Sequence, residues 1–364
     1  MALSVGIVGL PNVGKSTVFN ALTAGKAEAA NYPFCTIDPN IGIVPVPDDR
    51  MRRIEKLIKT QKMIPAIVEI VDIAGLVAGA SQGEGLGNKF LANIRETNAI
   101  LMMVRCFDDP NVIHVAGNVD PMRDIDIIDL ELALADLESV EKRLKKAQGA
   151  AKTGNKEGKA ELGVVEKVHA HLTTGKAART LTLTEDEHKL VATFGLLTFK
   201  PVLYCCNVGE TDLPDGNPWS ELVRARANAE SAGVVILCGK VEAELAELGP
   251  DDRAELLASY GLREPALATL ARECYRLLGL QSYFTAGEKE IRAWTVKKGA
   301  TGPEAAGVIH TDFEKGFIRA QVYALADLEQ FHTEAGIKAA GKMRIEGKEY
   351  VVQDGDIMHF LFNV

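Results

Sequence analysis

The sequence has no long hydrophobic run. Its longest apolar stretch, residues 99–104, is far shorter than the roughly 20 residues that a membrane-spanning helix requires. The first residues lack the charged start of a signal peptide, and none of the six cysteines forms a Cys-x-x-Cys pair. These absences argue against a membrane or secreted protein, and they predict a soluble cytoplasmic protein whose cysteines are reduced and mostly buried.

Basic residues are also in deficit. With 50 acidic against 41 basic residues, the formal net charge is −9, which argues against non-specific nucleic-acid binding over the whole surface. The 364 residues, 47% of them hydrophobic, are enough for roughly two or three domains with ordinary cores. A local basic patch could still bind RNA, so the distribution of charge matters more than its sum.

A phosphate-binding loop stands near the start of the chain. Residues 9–16 read Gly-Leu-Pro-Asn-Val-Gly-Lys-Ser, after an apolar run and before a helical pattern. Such a P-loop points backbone N–H groups at phosphates, its lysine neutralises the β- and γ-phosphates, and its serine binds Mg²⁺. Both flanking elements disfavour the alternative of a simple glycine turn. The predicted nucleotide contacts are Asn12, Val13, Gly14, Lys15, Ser16 and Thr17, of which Lys15 is also catalytic and Ser16 also a metal ligand.

A second motif, Asp72-Ile-Ala-Gly75, follows another apolar strand. At this place a carboxylate would lie near Mg²⁺, and the N–H group of Gly75 could meet the γ-phosphate. Thr36 is the candidate for a further Mg²⁺ ligand, the alternative being an ordinary loop threonine. The glycines that follow Gly75 predict a mobile switch, because glycine permits large backbone changes. The predicted metal ligands are therefore Ser16, Thr36 and Asp72.

Short β-branched runs alternate with helical patterns, which predicts an α/β fold with a mostly parallel sheet. The strands of this sheet are predicted at 3–8, 41–46, 66–71, 99–104, 201–207 and 234–237. Leucines at heptad-like spacing predict an inserted antiparallel helical hairpin. A C-terminal β-rich module is predicted with strands at 291–296, 317–323, 342–345, 349–352 and 357–362. The predicted domains are 1–125 with 199–280 for nucleotide binding, 126–198 for the hairpin, and 281–364 for the C-terminal module.

Together these motifs resemble the YchF, or Obg-like ATPase, family of P-loop proteins. The resemblance rests on residues 9–17, on Asn-Tyr-Pro-Phe-Cys-Thr-Ile-Asp-Pro-Asn at 31–40, on Asp-Ile-Ala-Gly-Leu-Val at 72–77 and on the helical insertion. It spans essentially the whole chain. It implies a P-loop NTPase domain interrupted by a helical hairpin and followed by a ubiquitin-like β-grasp (TGS) domain, which suggests contact with RNA or the ribosome.

Two loops are expected to determine whether the site binds an adenine or a guanine nucleotide. Residues 207–210, Asn-Val-Gly-Glu, occupy the position of Asn-Lys-x-Asp, whose aspartate accepts two hydrogen bonds from guanine in GTPases. Glu210 is one methylene longer than that aspartate, and Val208 removes the lysine that covers the base, whereas Asn207 could still bond a purine edge. We therefore expect ATP rather than GTP, with an Obg-type GTPase as the alternative. A second base-contacting loop is predicted at Cys238, Gly239 and Lys240.

The residue that positions the attacking water is less obvious. Leu76 stands where many relatives carry a glutamine, and a leucine cannot orient water. His114 is the candidate catalytic residue, because an imidazole can donate to or accept from water near neutral pH. The alternative is a loop histidine without a role. Asn12 resembles the asparagine with which some relatives hold K⁺ beside the phosphates, and K⁺ is a second hypothesis here, against an asparagine that only stabilises the loop.

Seven basic residues and one acid lie between 142 and 159, at the predicted tip of the hairpin. This concentration suits phosphate contacts on structured RNA or the ribosome, the alternative being a solvated helix turn. The expected protein is a monomeric, ribosome-associated ATPase that switches between ATP and ADP states. A scaffold that senses ATP with incidental hydrolysis is the other open interpretation. The basic residues are Lys142, Arg143, Lys145, Lys146, Lys152, Lys156 and Lys159.

Overall fold

The computed structural model describes residues 3–24, 40–73, 86–112, 117–152 and 156–363. The chain divides into two compact units. The first comprises Met1–Ile43 with Glu69–Leu270, and the second comprises Val44–Val68 with Ala271–Val364. Residues 44–68 thus cluster with the C-terminal strands, which the sequence did not indicate. The three-domain division and the TGS assignment stay predictions.

The described residues form two sheets of six strands each. In chain order the strands are β1 (Ser4–Val8), β2 (Ile41–Pro45), β3 (Met63–Ile64), β4 (Ile67–Asp72), β5 (Ala99–Cys106), β6 (Val202–Val208), β7 (Gly233–Leu237), β8 (Leu280–Ala286), β9 (Ile291–Lys297), β10 (Phe317–Tyr323), β11 (Arg344–Glu346) and β12 (Ile357–Phe362). The first sheet has the order β2-β4-β1-β5-β6-β7, and the second has the order β11-β10-β12-β8-β9-β3.

The predicted parallel sheet is confirmed. β1 pairs in parallel with β4 and β5, and β6 pairs in parallel with β5 and β7. Every residue of β1, β5 and β6 is buried, since helices cover both faces of such a sheet and its central strands are continuously apolar. Parallel pairing brings the carboxyl ends of these strands to one edge, where the ligand site of an open α/β sheet lies.

In chain order, the helices of the described residues lie between these strands. They are α1 (Lys15–Thr23), α2 (Asp49–Glu55), α3 (Leu86–Glu96), α4 (Pro121–Lys152), α5 (Lys156–Leu172), α6 (Glu185–Ala192), α7 (Pro218–Ala229), α8 (Gly239–Glu247), α9 (Pro250–Ser259), α10 (Ala266–Leu277), α11 (Gly302–Ile309), α12 (Thr311–Lys315), α13 (Leu325–Phe331) and α14 (Glu334–Ala339). None of the described helices is both long enough and apolar enough to cross a membrane.

The predicted helical hairpin is α4 with α5. These helices pack through a buried cluster that includes Val140, Val165 and Val168. The next helix, α6, begins with a capping box formed by Thr184 and Glu187. No strand occurs among the described residues between 126 and 198. The hairpin therefore exists as predicted, although α4 begins at residue 121, a few residues before the predicted boundary.

A buried carboxylate fixes the base of the hairpin to the chain that leads into β6. Asp136 on α4 accepts hydrogen bonds from the backbone N–H groups of Leu197 and Thr198, both at 2.8 Å, and from the Thr198 hydroxyl at 2.7 Å. Burial raises the pKa of Asp136, while these donors oppose the shift. Three hydrogen bonds to one buried carboxylate therefore fix the position of α4 relative to the segment that leads into β6.

The second unit confirms the predicted β-rich module and corrects one strand. The predicted strand at 349–352 is wrong, because only Val351 forms an isolated bridge, with Thr301, while the N–H group of Tyr350 turns back to the carbonyl of Gly347 at 3.2 Å. The sequence pattern also gave no sign of β8, because its buried residues include the polar Gln281 and Ser282 and so form neither an apolar run nor an alternation. β3 joins the same sheet through a parallel pairing with β9.

Candidate nucleotide-binding site

The predicted P-loop lies between the end of β1 and the start of α1, at the carboxyl edge of the first sheet. Two of its residues have positive φ: Asn12 at 63° and Gly14 at 92°. A Cβ atom on Gly14 would stand 2.2 Å from the Nδ2 atom of Asn207. Glycine is therefore required at position 14 both for its backbone conformation and for the close approach of Asn207.

The helix after the loop presents its N-terminus to the site. The first helical hydrogen bond runs from the N–H of Val18 to the carbonyl of Gly14 at 3.0 Å, so the preceding N–H groups have no intrahelical acceptor. Ser16 and Thr17 are exposed in this first turn, which contains no acidic residue. Donors and the positive end of a helix dipole thus converge where a phosphate would bind.

Lys15 and Asp72 meet beside this helix start. The Lys15 Nζ atom forms an ion pair with the Asp72 Oδ1 atom, and the two side chains are 11% and 24% exposed. The pairing of β1 with β4 places Ile7 opposite Asp72, which brings the carboxylate to the edge that bears the loop. The structure therefore joins a cation and a carboxylate that stand 57 residues apart in the chain.

Asn207 ties the P-loop to the second base loop. Its Nδ2 atom donates to the carbonyl of Val13 at 3.0 Å, and its Oδ1 atom accepts from the N–H group of Gly239 at 2.9 Å. The residue is only 6% exposed. The sequence predicts that Asn207 bonds a purine edge, but one donor and one acceptor site of its amide hold the two loops together. Only the remaining amide hydrogen and lone pair could meet a ligand.

Burial limits how two other residues of the predicted base loops could contact a nucleotide. Val208 is 1% exposed, so its side chain lies in the core and cannot cover a base. Cys238 is 4% exposed and packs in a cluster with Val241 and Leu245. Burial raises the pKa of the Cys238 thiol. These two residues can contact a nucleotide only through their backbone atoms.

Glu210 and Lys240, by contrast, are accessible and paired. The Lys240 Nζ atom lies 2.5 Å from the Glu210 Oε1 atom, and the Tyr260 hydroxyl donates to Glu210 Oε2 at 3.3 Å. Hydrogen bonding to Lys240 lowers the pKa of Glu210. The sequence motifs do not include Tyr260, because nothing in the sequence indicates that the end of α9 approaches residue 210.

The comparisons with known proteins cover the whole chain. A family model described as a 50S ribosome-binding GTPase matches residues 4–152, and the YchF-GTPase C-terminal model, described as a protein of unknown function, matches residues 280–363. The ribosome-binding ATPase YchF of Haemophilus influenzae is 55% identical over 364 residues, which is 100% of both chains. That of Bacillus subtilis is 52% identical over 366 residues, again 100% of both. The chain belongs to the YchF family.

Solved structures agree with this assignment. The YchF GTPase of Schizosaccharomyces pombe matches with a TM-score of 0.88 and 39% identity, over 99% of this chain and 97% of that one. The family resemblance is thus confirmed. The names differ in one respect, since the bacterial relatives are called ATPases and the yeast protein a GTPase. A preference for ATP or for GTP would depend on the residues of the predicted base-contacting loops.

Several residues expected to act in this YchF site lie outside the described residues. They are Thr36, Gly75 and His114, and Leu76, at the position of the water-orienting glutamine, also lies outside them. The chain that leads toward His114 is held by Arg105, which no sequence motif includes. Its guanidinium donates to the carbonyls of Phe107 at 3.1 Å and Val112 at 2.9 Å, and it lies 4.5 Å from the centre of the Phe107 ring. The sequence did offer a signal for Arg105, since it is the charged residue in the otherwise apolar strand β5.

The residues present fit a Mg²⁺ ion that depends on phosphate oxygens. No group of three or more His, Cys, Asp or Glu that could hold a metal occurs in the described part of the chain. Mg²⁺ is usually bound by one or two protein groups together with phosphates and water. The exposed Ser16 and the partly exposed carboxylate of Asp72, with Lys15 beside it, are such a donor set.

The basic tip of the hairpin has fewer uncommitted charges than the sequence indicates. Arg143 forms an ion pair with Glu161 at 2.8 Å and stacks on Phe194 at 3.9 Å, so this guanidinium serves the hairpin itself. Among the described lysines of the tip, those that are exposed are Lys142, Lys145, Lys146, Lys152 and Lys159. Because positions 142, 145 and 146 recur at helical spacing, their side chains share one face of α4.

Proposed function

We propose that this chain is a Mg²⁺-dependent ATPase whose ATP and ADP states differ in their affinity for the ribosome. The observation that carries the proposal is the P-loop with Lys15 paired to Asp72. It supports nucleotide binding at the start of α1. The names of the bacterial relatives, ribosome-binding ATPases, support both the adenine nucleotide and the partner.

The state of the base loops supports ATP over GTP. In a GTPase an aspartate at this position accepts two hydrogen bonds from guanine, whereas Glu210 already accepts from Lys240 and Tyr260. The buried Val208 leaves the base face without the covering lysine stem. An Obg-type GTPase, which the name of the yeast protein favours, is the competing function.

Hydrolysis needs charge neutralisation and a positioned water more than covalent chemistry. Lys15 and the N–H groups at the start of α1 orient and neutralise the phosphates, while Ser16 and Asp72, with Thr36, would hold Mg²⁺. When bound, Mg²⁺ neutralises charge on the β- and γ-phosphates. Gly75 would donate its N–H group to the γ-phosphate.

The test measures turnover and ribosome association together. ATP and GTP hydrolysis are compared with and without ribosomes, and co-sedimentation with ribosomes is measured in ATP, ADP and a non-hydrolysable ATP analogue. We expect faster turnover of ATP and co-sedimentation that depends on the nucleotide. Equal or faster hydrolysis of GTP would favour the GTPase, and co-sedimentation that ignores the nucleotide would favour the scaffold.

We propose that His114 positions the attacking water. His114→Ala is expected to lower turnover about 100-fold while ATP affinity is retained, because general acid–base groups contribute on the order of 10²–10⁴-fold. Single-turnover hydrolysis and an ATP titration of the same preparation are the measurements. Unchanged basal and ribosome-stimulated turnover would leave His114 as a loop residue without a catalytic role.

We propose that Asn12 helps to hold K⁺ beside the phosphates, where the ion would take over the role of an arginine finger. Exchanging K⁺ for Na⁺ at constant ionic strength is expected to slow ATP hydrolysis, and Asn12→Ala is expected to remove the difference between the two salts. Equal rates in both salts for the unmodified protein would eliminate K⁺ from the mechanism.

We propose that the basic tip contacts ribosomal RNA. Changing Lys145, Lys146 and Lys152 to glutamine is expected to weaken ribosome binding and to reduce its salt dependence, by roughly one unit of log–log slope for each phosphate that is no longer neutralised. Co-sedimentation over a range of salt concentrations measures both. As a control, glutamine at three other exposed lysines, Lys56, Lys59 and Lys62, is expected to have little effect. An equal loss of binding in both triple variants would contradict a specific role for the tip.

We further propose a cytoplasmic protein, since the relatives are named for binding the ribosome, and we propose that it is a monomer. Sedimentation equilibrium of the purified chain, at the concentrations used in the assays, measures the oligomeric state. A dimer under those conditions would contradict this part of the proposal.

A further inference from the structure

Both carboxylate oxygens of Glu210 are engaged by side chains from two different helices. Lys240, in the first turn of α8, approaches Oε1 at 2.5 Å, and Tyr260, directly after α9, donates to Oε2 at 3.3 Å. Glu210 itself begins a short 3₁₀ helix, Glu210–Asp212, after the end of β6. Three separate elements thus converge on one carboxylate at the base loops.

Packing fixes where these elements stand. Tyr260 packs against a hydrophobic cluster that contains Cys238, Val241 and Leu257. This cluster joins the start of α8 to α9 independently of the polar contacts. The Tyr260 hydroxyl therefore approaches Glu210 because the core holds its ring there, and removing the hydroxyl alone should leave the packing intact.

We propose that Lys240 and Tyr260 contribute to base specificity by occupying the carboxylate of Glu210, so that guanine must compete with them for it. The inference rests on the proposed preference for ATP and adds the cause of that preference. Guanine recognition at this position needs a carboxylate with both oxygens available for a bidentate contact. A guanine nucleotide would have to displace Lys240 and Tyr260 first, whereas adenine offers no pair of donors for which this carboxylate is needed.

The expected effect is modest, because the contacts are partly solvated. The Lys240 side chain is 79% exposed and that of Glu210 is 38% exposed. Exposed ion pairs of this kind change an equilibrium by about twofold to fivefold. Occupation of Glu210 is thus one contribution to specificity, in addition to the longer glutamate side chain and the buried Val208.

The experiment measures dissociation constants for Mg²⁺ with non-hydrolysable ATP and GTP analogues, in the full-length protein and in two variants, Tyr260→Phe and Lys240→Met. Each variant frees one oxygen of Glu210. We expect GTP-analogue affinity, relative to ATP-analogue affinity, to rise about twofold to fivefold in each variant and further in the double variant, while the ATP-analogue affinity of Tyr260→Phe changes by less than about twofold.

Three controls separate this cause from others. Glu210→Gln in the Lys240→Met background is expected to abolish the gain for the GTP analogue, since the gain requires the freed carboxylate. Lys240→Arg keeps the ion pair and is expected to keep the parental ratio. Lys189→Met removes another exposed ion pair, with Glu185 on α6, and is expected to leave both affinities unchanged.

An unchanged ratio of the two affinities in both Tyr260→Phe and Lys240→Met would overturn the inference, as would a gain that survives Glu210→Gln. Failure of the proposed function looks different. It would appear as an unmodified protein that binds the GTP analogue as tightly as the ATP analogue. Even then, a gain that depends on Glu210 would support the occupation of its carboxylate. Tyr260→Phe keeps the test valid should Lys240→Met fail to fold.

Discussion

Replacing Lys15 by alanine is expected to weaken ATP binding by about 100-fold. Charge-assisted hydrogen bonds contribute roughly 1.5–3 kcal/mol each, and Lys15 would supply them to two phosphates. The variant also leaves Asp72 without its partner, so a carboxylate would face the triphosphate with its charge uncompensated. Titration with a fluorescent or radiolabelled ATP analogue, in Mg²⁺ and in a chelator, measures the loss of affinity.

The matched control for this prediction is Asp72→Asn. It removes the other partner of the ion pair, so metal-free ATP binding should be maintained or strengthened, while the gain in affinity from Mg²⁺ should disappear. Thermal unfolding of both variants shows whether the fold survives. A Lys15→Ala protein that is folded and retains ATP as firmly as the unmodified chain would contradict the nucleotide site itself.

Asn207→Ala is expected to lower both ATP affinity and the free energy of unfolding. The change leaves the carbonyl of Val13 and the N–H group of Gly239 without their partner in a buried place. Each unsatisfied group costs about 1–3 kcal/mol, so we expect a loss of about 2–6 kcal/mol and a fall in Tm of roughly 5 °C or more. Because the same amide orders the P-loop, ATP affinity should fall about tenfold or more.

Calorimetry and ATP titration together measure the two effects of Asn207→Ala. Asn98→Ala is the matched control. Asn98 accepts a hydrogen bond from the N–H group of Ser4 at 3.0 Å, at the opposite end of β1. The control should lower Tm without changing ATP affinity. An Asn207→Ala variant that unfolds earlier but binds ATP normally would limit this residue to a structural role.

Much of the fold follows from local sequence patterns. Continuous apolar runs predicted β1, β5 and β6 to within two residues at each end, because strands covered on both faces need little else. Leucines at heptad-like spacing predicted the helical hairpin, because that spacing places them on the face where two helices pack. The strand at 349–352 failed, since its apolar residues serve a turn and a single bridge. β8 was missed because its buried residues include the polar Gln281 and Ser282, so its sequence shows neither an apolar run nor an alternation.

The candidate site likewise contains residues that the sequence predicts and features that only the structure shows. The P-loop is a contiguous motif, so the sequence alone predicts Lys15 and Ser16 as site residues, and it predicts Asp72 because this residue ends an apolar strand. A motif does not show which of its side chains are buried. Because Val208 and Cys238 are buried, only their backbone atoms could contact a nucleotide. Tyr260 had no sequence signal, because its role depends on where α9 packs.

By itself the sequence determined that the chain has a phosphate-binding loop, a parallel sheet and a helical insertion, because each depends on residues close together in the chain. Only the tertiary structure decided that Lys15 meets Asp72, that Asn207 joins Val13 to Gly239, and that residues 44–68 cluster with the C-terminal strands. Those contacts join segments tens to hundreds of residues apart. Pairing at such separations depends on how sheets and helices pack, which no short motif specifies.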